Sequence, residues 1–304
     1  MIISEAQRGA RLDHYLVQLW PNVSRANIQK LIASGSIQVN GKTVPKHYFL
    51  KVGDSLDVPA PPSIKLMRGK ITPTTAVPLA LLALHDDYIV LNKPAGIAVH
   101  PSSTMTGLTL VHGLVAQFPE LAQVGDDPLR PGIVHRLDRD VSGVLVVART
   151  TTMFELLKQQ FQNRTIHKRY LALVHGTFSQ ATGQITFGIE RSKQYSHKMA
   201  ALPSGQGKAA VTEYEVLQQY QQYTYIALNI LTGRTHQIRV HLNAIGHPVV
   251  GDAVYKPKKF TSRLQPQRLF LHASVLTFQL PNGQTVTYQA PLPKELQLIL
   301  DDLT

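Results

Sequence analysis

The residues best suited to chemistry lie in one short run, His135-Arg136-Leu137-Asp138-Arg139-Asp140, set between the apolar stretches Gly132-Ile133-Val134 and Val144-Leu145-Val146-Val147-Ala148. Two buried strands flanking a charged turn would hold these side chains on a rigid base, which a catalytic group needs. If the run begins extended, a period of two puts Arg136, Asp138 and Asp140 on one side and His135, Leu137 and Arg139 on the other. Asp138 is then a carboxylate among guanidiniums, ionised at neutral pH and available as a nucleophile or a base. A solvated charged loop has the same composition, so spacing alone leaves both readings open.

His135, His236 and His241 suggest a metal site or a triad. Yet there is no HExxH and no serine in a nucleophile elbow, and His236 and His241, five positions apart, fall on opposite faces of an expected strand. They are read as structural. The 304-residue chain has no Cys, which excludes thiolate nucleophiles, iron–sulfur clusters and Cys-ligated zinc. No apolar run is long enough to span a bilayer, and MIISEAQRGA lacks the parts of a secretory signal, so a cytoplasmic location is expected. With 31 Lys+Arg against 19 Asp+Glu and a net charge of +12, the partner should be anionic, and nucleic acid is the commonest such partner. The same charge argues for a monomer, because basic faces repel one another.

The elements that would position these groups form two domains. Residues 1–70 hold ten Lys+Arg against four acids. Here Leu12, Tyr15, Leu16 and Leu19 recur at helical spacing until Pro21. Ser24 is a good N-cap for a second helix, with Ile28, Leu31 and Ile32 on one face and Gly35 as its stop. Ile37 and Val39 alternate into Asn40-Gly41, a hairpin turn signal, with the return strand expected from Val44. The stretch after Val58 contains Pro59, Pro61, Pro62, Pro73 and Pro78 and reads as a stiff linker over 59–78, between a domain at 1–58 and another at 79–304. The larger domain alternates apolar runs with turns: YIVLNK, GVLVVA, KRYLALVHG, AAVTEYEVL, YTYIALNIL, QIRVHL and SVLTFQL all read as short strands. One helix follows Thr152, which forms a capping box with Glu155, and Met153, Leu156, Leu157 and Phe161 are its apolar side. The fold class is α+β, a strand-rich mixed or antiparallel central sheet with flanking helices plus a small α+β domain.

RLDHYL, SRANIQKLIASGSIQVNGK and KVGDSLDV over residues 9–58 resemble the S4-type RNA-binding domain. The resemblance implies a basic helical face on structured RNA, with Arg25, Lys30 and Lys42 as RNA contacts. GIVHRLDRDVSGVLVVA resembles the HRLDxxTSG signature of the RluA-type pseudouridine synthases. DDYIVLNKPAGIAVHP, KRYLALVHG, GKAAVTEYEVL, LTGRTHQIRVHLNAIGHPVVGD and RLFLHA follow the family order, extending the match over residues 84–298. Departures are Val141, where the family usually has Thr, and the extended linker at 63–78.

That resemblance implies isomerisation of uridine to pseudouridine, in which C1′ leaves N1 and rejoins the same base at C5. No atom is gained and no redox occurs, so no cofactor and no metal is expected. It also assigns Asp138 as the catalytic carboxylate, adding to C1′ or removing a C2′ proton. Arg239, with Arg234 as alternative, is its expected partner. Tyr170 stacks on the target base and helps with the C5 proton. Arg136 enters the RNA stack when the uridine flips out, or else pairs with Asp138 or Asp140. His135, Arg234 and Lys168 join Arg136 as substrate-binding residues. Lys93, Lys168 and Lys208 are expected to contact phosphate, and Gly233 and Gly251 to shape turns. The acid-free runs Arg191–Lys208 and Lys256–Arg268 are expected to line the RNA path. The implied substrate is 23S (large-subunit) ribosomal RNA or a precursor subunit. The alternatives are a tRNA substrate, a non-catalytic RNA-binding or ribosome-assembly protein, and a glycosidase, which would want two opposed carboxylates.

Overall fold

The computed structural model describes residues 1–20, 23, 25–58, 71–101, 107–192, 194–195, 198–203, 205–255, 264 and 266–303, without the side chains of 25–27. The chain divides into two compact units, Met1–Gly69 and Lys70–Thr304.

In the first unit, α1 (Leu12–Leu19) and α2 (Arg25–Ala33) are followed by β1 (Gln38–Val39) and β2 (Leu56–Asp57). Leu12 and Leu16 on α1 and Ile28 and Ile32 on α2 meet Trp20, Ile37, Leu50 and Leu56 in one core. Each such fully buried side chain contributes about 1.5–3 kcal/mol. The expected cap at Ser24 lies outside the described residues, while Gly35 ends α2 at φ 74°. Asn40 and Gly41 form the expected turn with positive φ, and Val39 and Lys42 exchange backbone hydrogen bonds across it.

The return strand expected from Val44 is absent, and β1 pairs instead with β2. Pro45 has no N–H to extend a ladder. Asp54 accepts bonds from Asn40 Nδ2 (2.8 Å), the Tyr48 hydroxyl (3.0 Å) and the Lys51 N–H (2.9 Å), and this ties the intervening loop so that Leu56 is delivered opposite Val39. Asp13, fully buried on α1, accepts from Arg11 (3.1 and 3.0 Å) and from Gln29 of α2 (2.8 Å), joining the two helices.

The second unit contains, in chain order, β3 (Leu81–Leu84), β4 (Tyr88–Lys93), α3 (Leu110–Gln117), β5 (Ser142–Ala148), α4 (Thr151–Asn163), β6 (His167–His175), β7 (Thr182–Arg191), β8 (Met199–Leu202), β9 (Lys208–Gln219), β10 (Tyr223–Ile230), α5 (Gln237–Ala244), β11 (Leu271–Gln279), β12 (Thr285–Gln289) and α6 (Lys294–Asp301). Ten strands form one sheet in the order β3-β4-β5-β11-β6-β10-β9-β7-β8, with β12 also on β11. β11 runs parallel to β5, and the other paired strands are antiparallel. The sheet is covered on both faces. Ile89, Leu91, Leu145 and Val147 enter one core with Leu110 and Leu114 of α3, and the alternate residues Tyr88, Val90, Val144 and Val146 enter another with Met153 and Leu157 of α4. Two-sided burial explains why β5 reads as a continuous apolar run.

Several expectations are corrected. QIRVHL is a helix, not a strand: residues Gln237–Leu242 of α5 are all buried, so no polar stripe marks the helical period. The opposite-face argument for His236 and His241 falls with it. Gly132-Ile133-Val134 is no strand but a turn carrying a single bridge, Ile133 to Val147. The cap of α4 is Thr150, whose hydroxyl accepts from the Met153 N–H (3.3 Å), rather than Thr152, while Glu155 bonds Lys158. The expected linker also ends early. Residues 59–70 lie outside the described set, but Ile71 and Val77 are buried in the α3-side core and the Thr74 N–H donates to the His112 carbonyl.

Candidate active site

The run 135–140 forms neither helix nor strand up to Asp138 and then turns. The expected two-sided split does not hold: His135 stacks on Phe161 of α4, while Leu137 enters the α3-side core and also lines the cavity with Arg136 and Asp138. The His135 Nε2 accepts from the Val146 N–H (3.0 Å), so the ring proton sits on Nδ1, and the ring stacks on Phe161 at 4.6 Å. Burial pushes its pKa down to about 3. His135 thus pins the run to β5, although it also forms part of a cleft wall.

Lys93 was expected to meet phosphate, but it is fully buried at the end of β4. Its Nζ donates to the carbonyls of Pro94 (2.7 Å), Ile97 (2.8 Å) and Arg139 (3.0 Å), bracing the turn after Asp138. Burial pushes its ammonium down to about 7 against the pull of Asp140 and Asp138. Below the run, Gly143 has φ 122° and a Cβ there would overlap the Ala273 carbonyl, so only glycine lets β5 meet β11 this closely. Val141, which stands where a Thr is usual, is buried in the core.

Asp138 has an 18%-exposed side chain, and its Oδ2 lies 3.3 Å from Arg239 Nη1 and 3.9 Å from His236 Nε2. Arg239 rather than Arg234 makes this contact; Arg234 Nε instead donates to the Ala209 carbonyl (3.3 Å). Arg239, 5% exposed on α5, is itself held by a residue that sequence reasoning missed. Asp252 takes its fork at 2.7 Å (Nε to Oδ2) and 2.9 Å (Nη2 to Oδ1), and also accepts from the Val254 and Tyr255 N–H groups. Burial opposes the Arg239 charge, but Asp252 and Asp138 together raise its pKa. Arg239 Nη1 is left to reach Asp138. His236, at φ 57°, begins α5, and its Nδ1 lies 2.8 Å from the Tyr255 hydroxyl, which accepts from the Met199 N–H.

Tyr170 on β6 is buried beside this group. Burial, and then the Asp138 charge, push its phenol up, which keeps it protonated at neutral pH. The cavity between these groups measures about 110 Å³, and its wall includes Arg136, Asp138, Tyr170, His236, Arg239 and Leu271. It adjoins a cleft of about 430 Å³ that contains Lys168. Arg136 is exposed and borders both spaces. Asp140 pairs with Arg139 (3.1 Å) and Asp138 with Arg239, so neither takes Arg136 as partner.

Lys30, Lys42 and Lys208 are exposed, and the Arg25 side chain is outside the described residues. Residues 256–263 of the second basic run, with Lys256, Lys258 and Lys259, are also outside, and Arg268 at its end turns inward. It donates to Ser142 Oγ (2.7 Å) and Glu295 (3.0 Å), so it does not line an RNA path. In the first run, Lys198 lies over the Tyr195 ring at 5.1 Å. Gly251 has φ 77°, whereas Gly233 meets nothing that would exclude a Cβ. Among the described residues no helix is long and apolar enough to cross a membrane.

A ten-stranded, mostly antiparallel sheet that brings an Asp, an Arg and a Tyr from distant elements into one cavity agrees with the comparisons. Residues 87–244 match the family described as RNA pseudouridylate synthase, and residues 10–56 match the S4 domain. The chain is 37% identical to "Uncharacterized RNA pseudouridine synthase YlyB" of Bacillus subtilis (strain 168), over 99% of this chain and 96% of the relative. It is 38% identical to "Ribosomal large subunit pseudouridine synthase D" of Neisseria meningitidis serogroup A, over 97% and 79%. The structure of "Human RNA Pseudouridylate Synthase Domain Containing 1" superposes with a TM-score of 0.59 at 27% identity, over 76% of this chain and 96% of that one. The chain belongs to the RNA pseudouridylate synthase family. It is an RNA pseudouridine synthase with an S4 RNA-binding domain at its N-terminal end.

Proposed function

We propose that this enzyme converts specific uridines of large-subunit (23S) ribosomal RNA, free or within a precursor subunit, to pseudouridine, acting in the cytoplasm as a monomer. The observation that carries the reaction is the Asp138 carboxylate at 3.3 Å from Arg239, in a cavity closed by Tyr170. Likeness to the Neisseria large-subunit synthase supports the substrate.

A stacked, paired uridine does not offer C1′ and C5 to one carboxylate, so the nucleotide flips out, and Arg136 at the cavity mouth fills the vacated place. Asp138 then either adds to C1′ as N1 departs, the ester bond breaking again when C5 attacks, or takes the C2′ proton as N1 departs to leave a glycal and returns it to C2′ when C5 adds at C1′. The freed uracil turns, C5 bonds to C1′, the C5 proton is lost and N1 gains one, so atoms and electrons balance. Tyr170, held as a neutral phenol, packs on the ring and keeps water out. Arg239 holds Asp138 in line. The S4 domain supplies a second RNA contact through Lys30 and Lys42, weakened by salt.

The test is incubation of the full chain with unmodified 23S RNA tritiated at uridine C5, beside Asp138→Asn, with mapping of the modified positions. Tritium release by the wild type alone supports the reading. Release from tRNA but not from ribosomal RNA or precursor subunits would sink the substrate assignment.

A further inference from the structure

The larger cleft is unlike the cavity it adjoins. In the Asp138 cavity the carboxylate is partnered by Arg239. In the cleft Arg130, Arg136, Arg164, Lys168 and Arg234 converge, and among the described residues no Asp or Glu lines it. Arg130 has a long contact with Asp127 (3.8 Å), Arg234 bonds a carbonyl, and Lys168 lies 5.8 Å over the Phe161 ring. Converging cations without carboxylates repel one another unless an anion enters. Burial, and then Arg164, bring the Lys168 ammonium down to about 8.

Two further observations say more about the ligand. Arg164 ends α4 at φ 60°, a left-handed position where Gly or Asn is favoured, so the backbone is strained where an Arg reaches the cleft. On the cleft wall, His100 is only 5% exposed, and its Nδ1 is buried with no hydrogen-bond partner among the described residues. Burial, and then Arg130 and Arg136, push its pKa down to about 4, so the ring is neutral and meets a neutral polar edge better than a bare anion. Ile133, Ile230 and Phe161 add apolar wall. An anion that also carries a flat ring with a hydrogen-bonding edge satisfies all of this, and a nucleotide is such a ligand.

We propose that the cleft takes a second, unpaired nucleotide of the same RNA strand, its base toward His100 and its phosphate on Lys168 and Arg164. The strand assignment rests on the reading above that the Asp138 cavity takes a flipped uridine of RNA. Because Arg136 and Tyr170 border both spaces, one strand can fill them together. The enzyme would then select for two adjacent unstacked nucleotides, not one.

The full chain, carbon-13 labelled at histidine, is titrated with uridine 5′-monophosphate, adenosine 5′-monophosphate and inorganic phosphate at millimolar concentration. The His100 ring signal is identified by its loss in His100→Gln. Nucleotides should move that signal saturably in the wild type and in Asp138→Asn alike, and inorganic phosphate should not. Lys168→Met and Arg164→Gly should each weaken nucleotide binding about tenfold. Arg164→Gly should also raise Tm, since glycine relieves the left-handed position, so its weaker binding is not misfolding. No saturable movement of His100, or unchanged affinity in both cation variants, overturns the proposal. Phosphate acting as well as the nucleotides overturns the base contact. Nucleotide binding at His100 with no tritium released from any RNA would overturn the reaction assigned above and leave the cleft standing.

Discussion

The tripeptide Arg-Leu-Asp occurs twice, at Arg11-Leu12-Asp13 and at Arg136-Leu137-Asp138, with the leucine buried in both places. In the first copy the Arg leads into α1, so Arg11 folds back on Asp13, and Gln29 completes a buried structural cluster. In the second copy the chain enters no helix. Arg136 is left exposed, and Asp138 finds its cation on α5, 101 residues away. The same local sequence gives a strut in one unit and an open carboxylate beside a cavity in the other. The difference lies in which backbone the tripeptide adopts and what the rest of the chain brings to it.

Exchanging the two acids is the sharpest test. Asp138→Asn should lower tritium release by at least about a thousandfold with little change in Tm. Asp13→Ala should do the reverse: it leaves Arg11 and Gln29 without their acceptor and should destabilise the first unit by about 1.5–3 kcal/mol. Loss of turnover in Asp13→Ala equal to that in Asp138→Asn would break the comparison.

A smaller effect is expected at the arginine. Arg239→Lys keeps the charge but cannot fork onto Asp252 while also reaching Asp138, so turnover should fall about a hundredfold. If instead the Lys variant matches the wild type, the fork to Asp252 does not position the carboxylate.

Acid should reveal the buried histidines. His135, His100 and His241 are held neutral by burial, down to about 3, 4 and 4. The unfolded chain takes up protons near pH 6.5 while the folded chain does not, so the stability present above that pH is lost as it falls toward 4. Each histidine contributes a slope of up to about 1.4 kcal/mol per pH unit, read as the pH dependence of the urea midpoint. Among the described residues His241 has neither ring nitrogen bonded, so His241→Leu should flatten the slope by one proton. The smallest effect is at a helix end: Thr150→Ala should cost about 1 kcal/mol and Thr152→Ala much less.

How much was legible in the sequence follows the range of the interactions. β4, β5, β6, β10 and β11 show in apolar runs because their partners are strands of like pattern. The charged run shows because it interrupts them. α5 does not show, being short and buried all round, with its β-branched Ile238 and Val240 mimicking a strand. Among three consecutive threonines the Thr-x-x-Glu pattern pointed to Thr152, two residues past the actual α4 cap at Thr150. At the site, the family resemblance named Asp138, Tyr170 and Arg239, whereas Asp252 and His100 carry no local signal; their roles come from where the sheet puts them.

The parallel pairing of β11 with β5 has a consequence for how the enzyme is made. β11 lies between β5 and β6, and Ser142 and His272, bonded across its join with β5, are 130 residues apart. Until the ribosome has released the last part of the chain, β5 and β6 are two apolar strands with open edges, the form most prone to pair with other chains. Truncation before residue 271 should therefore yield insoluble protein, even though residues 138, 170, 239 and 252 are all present.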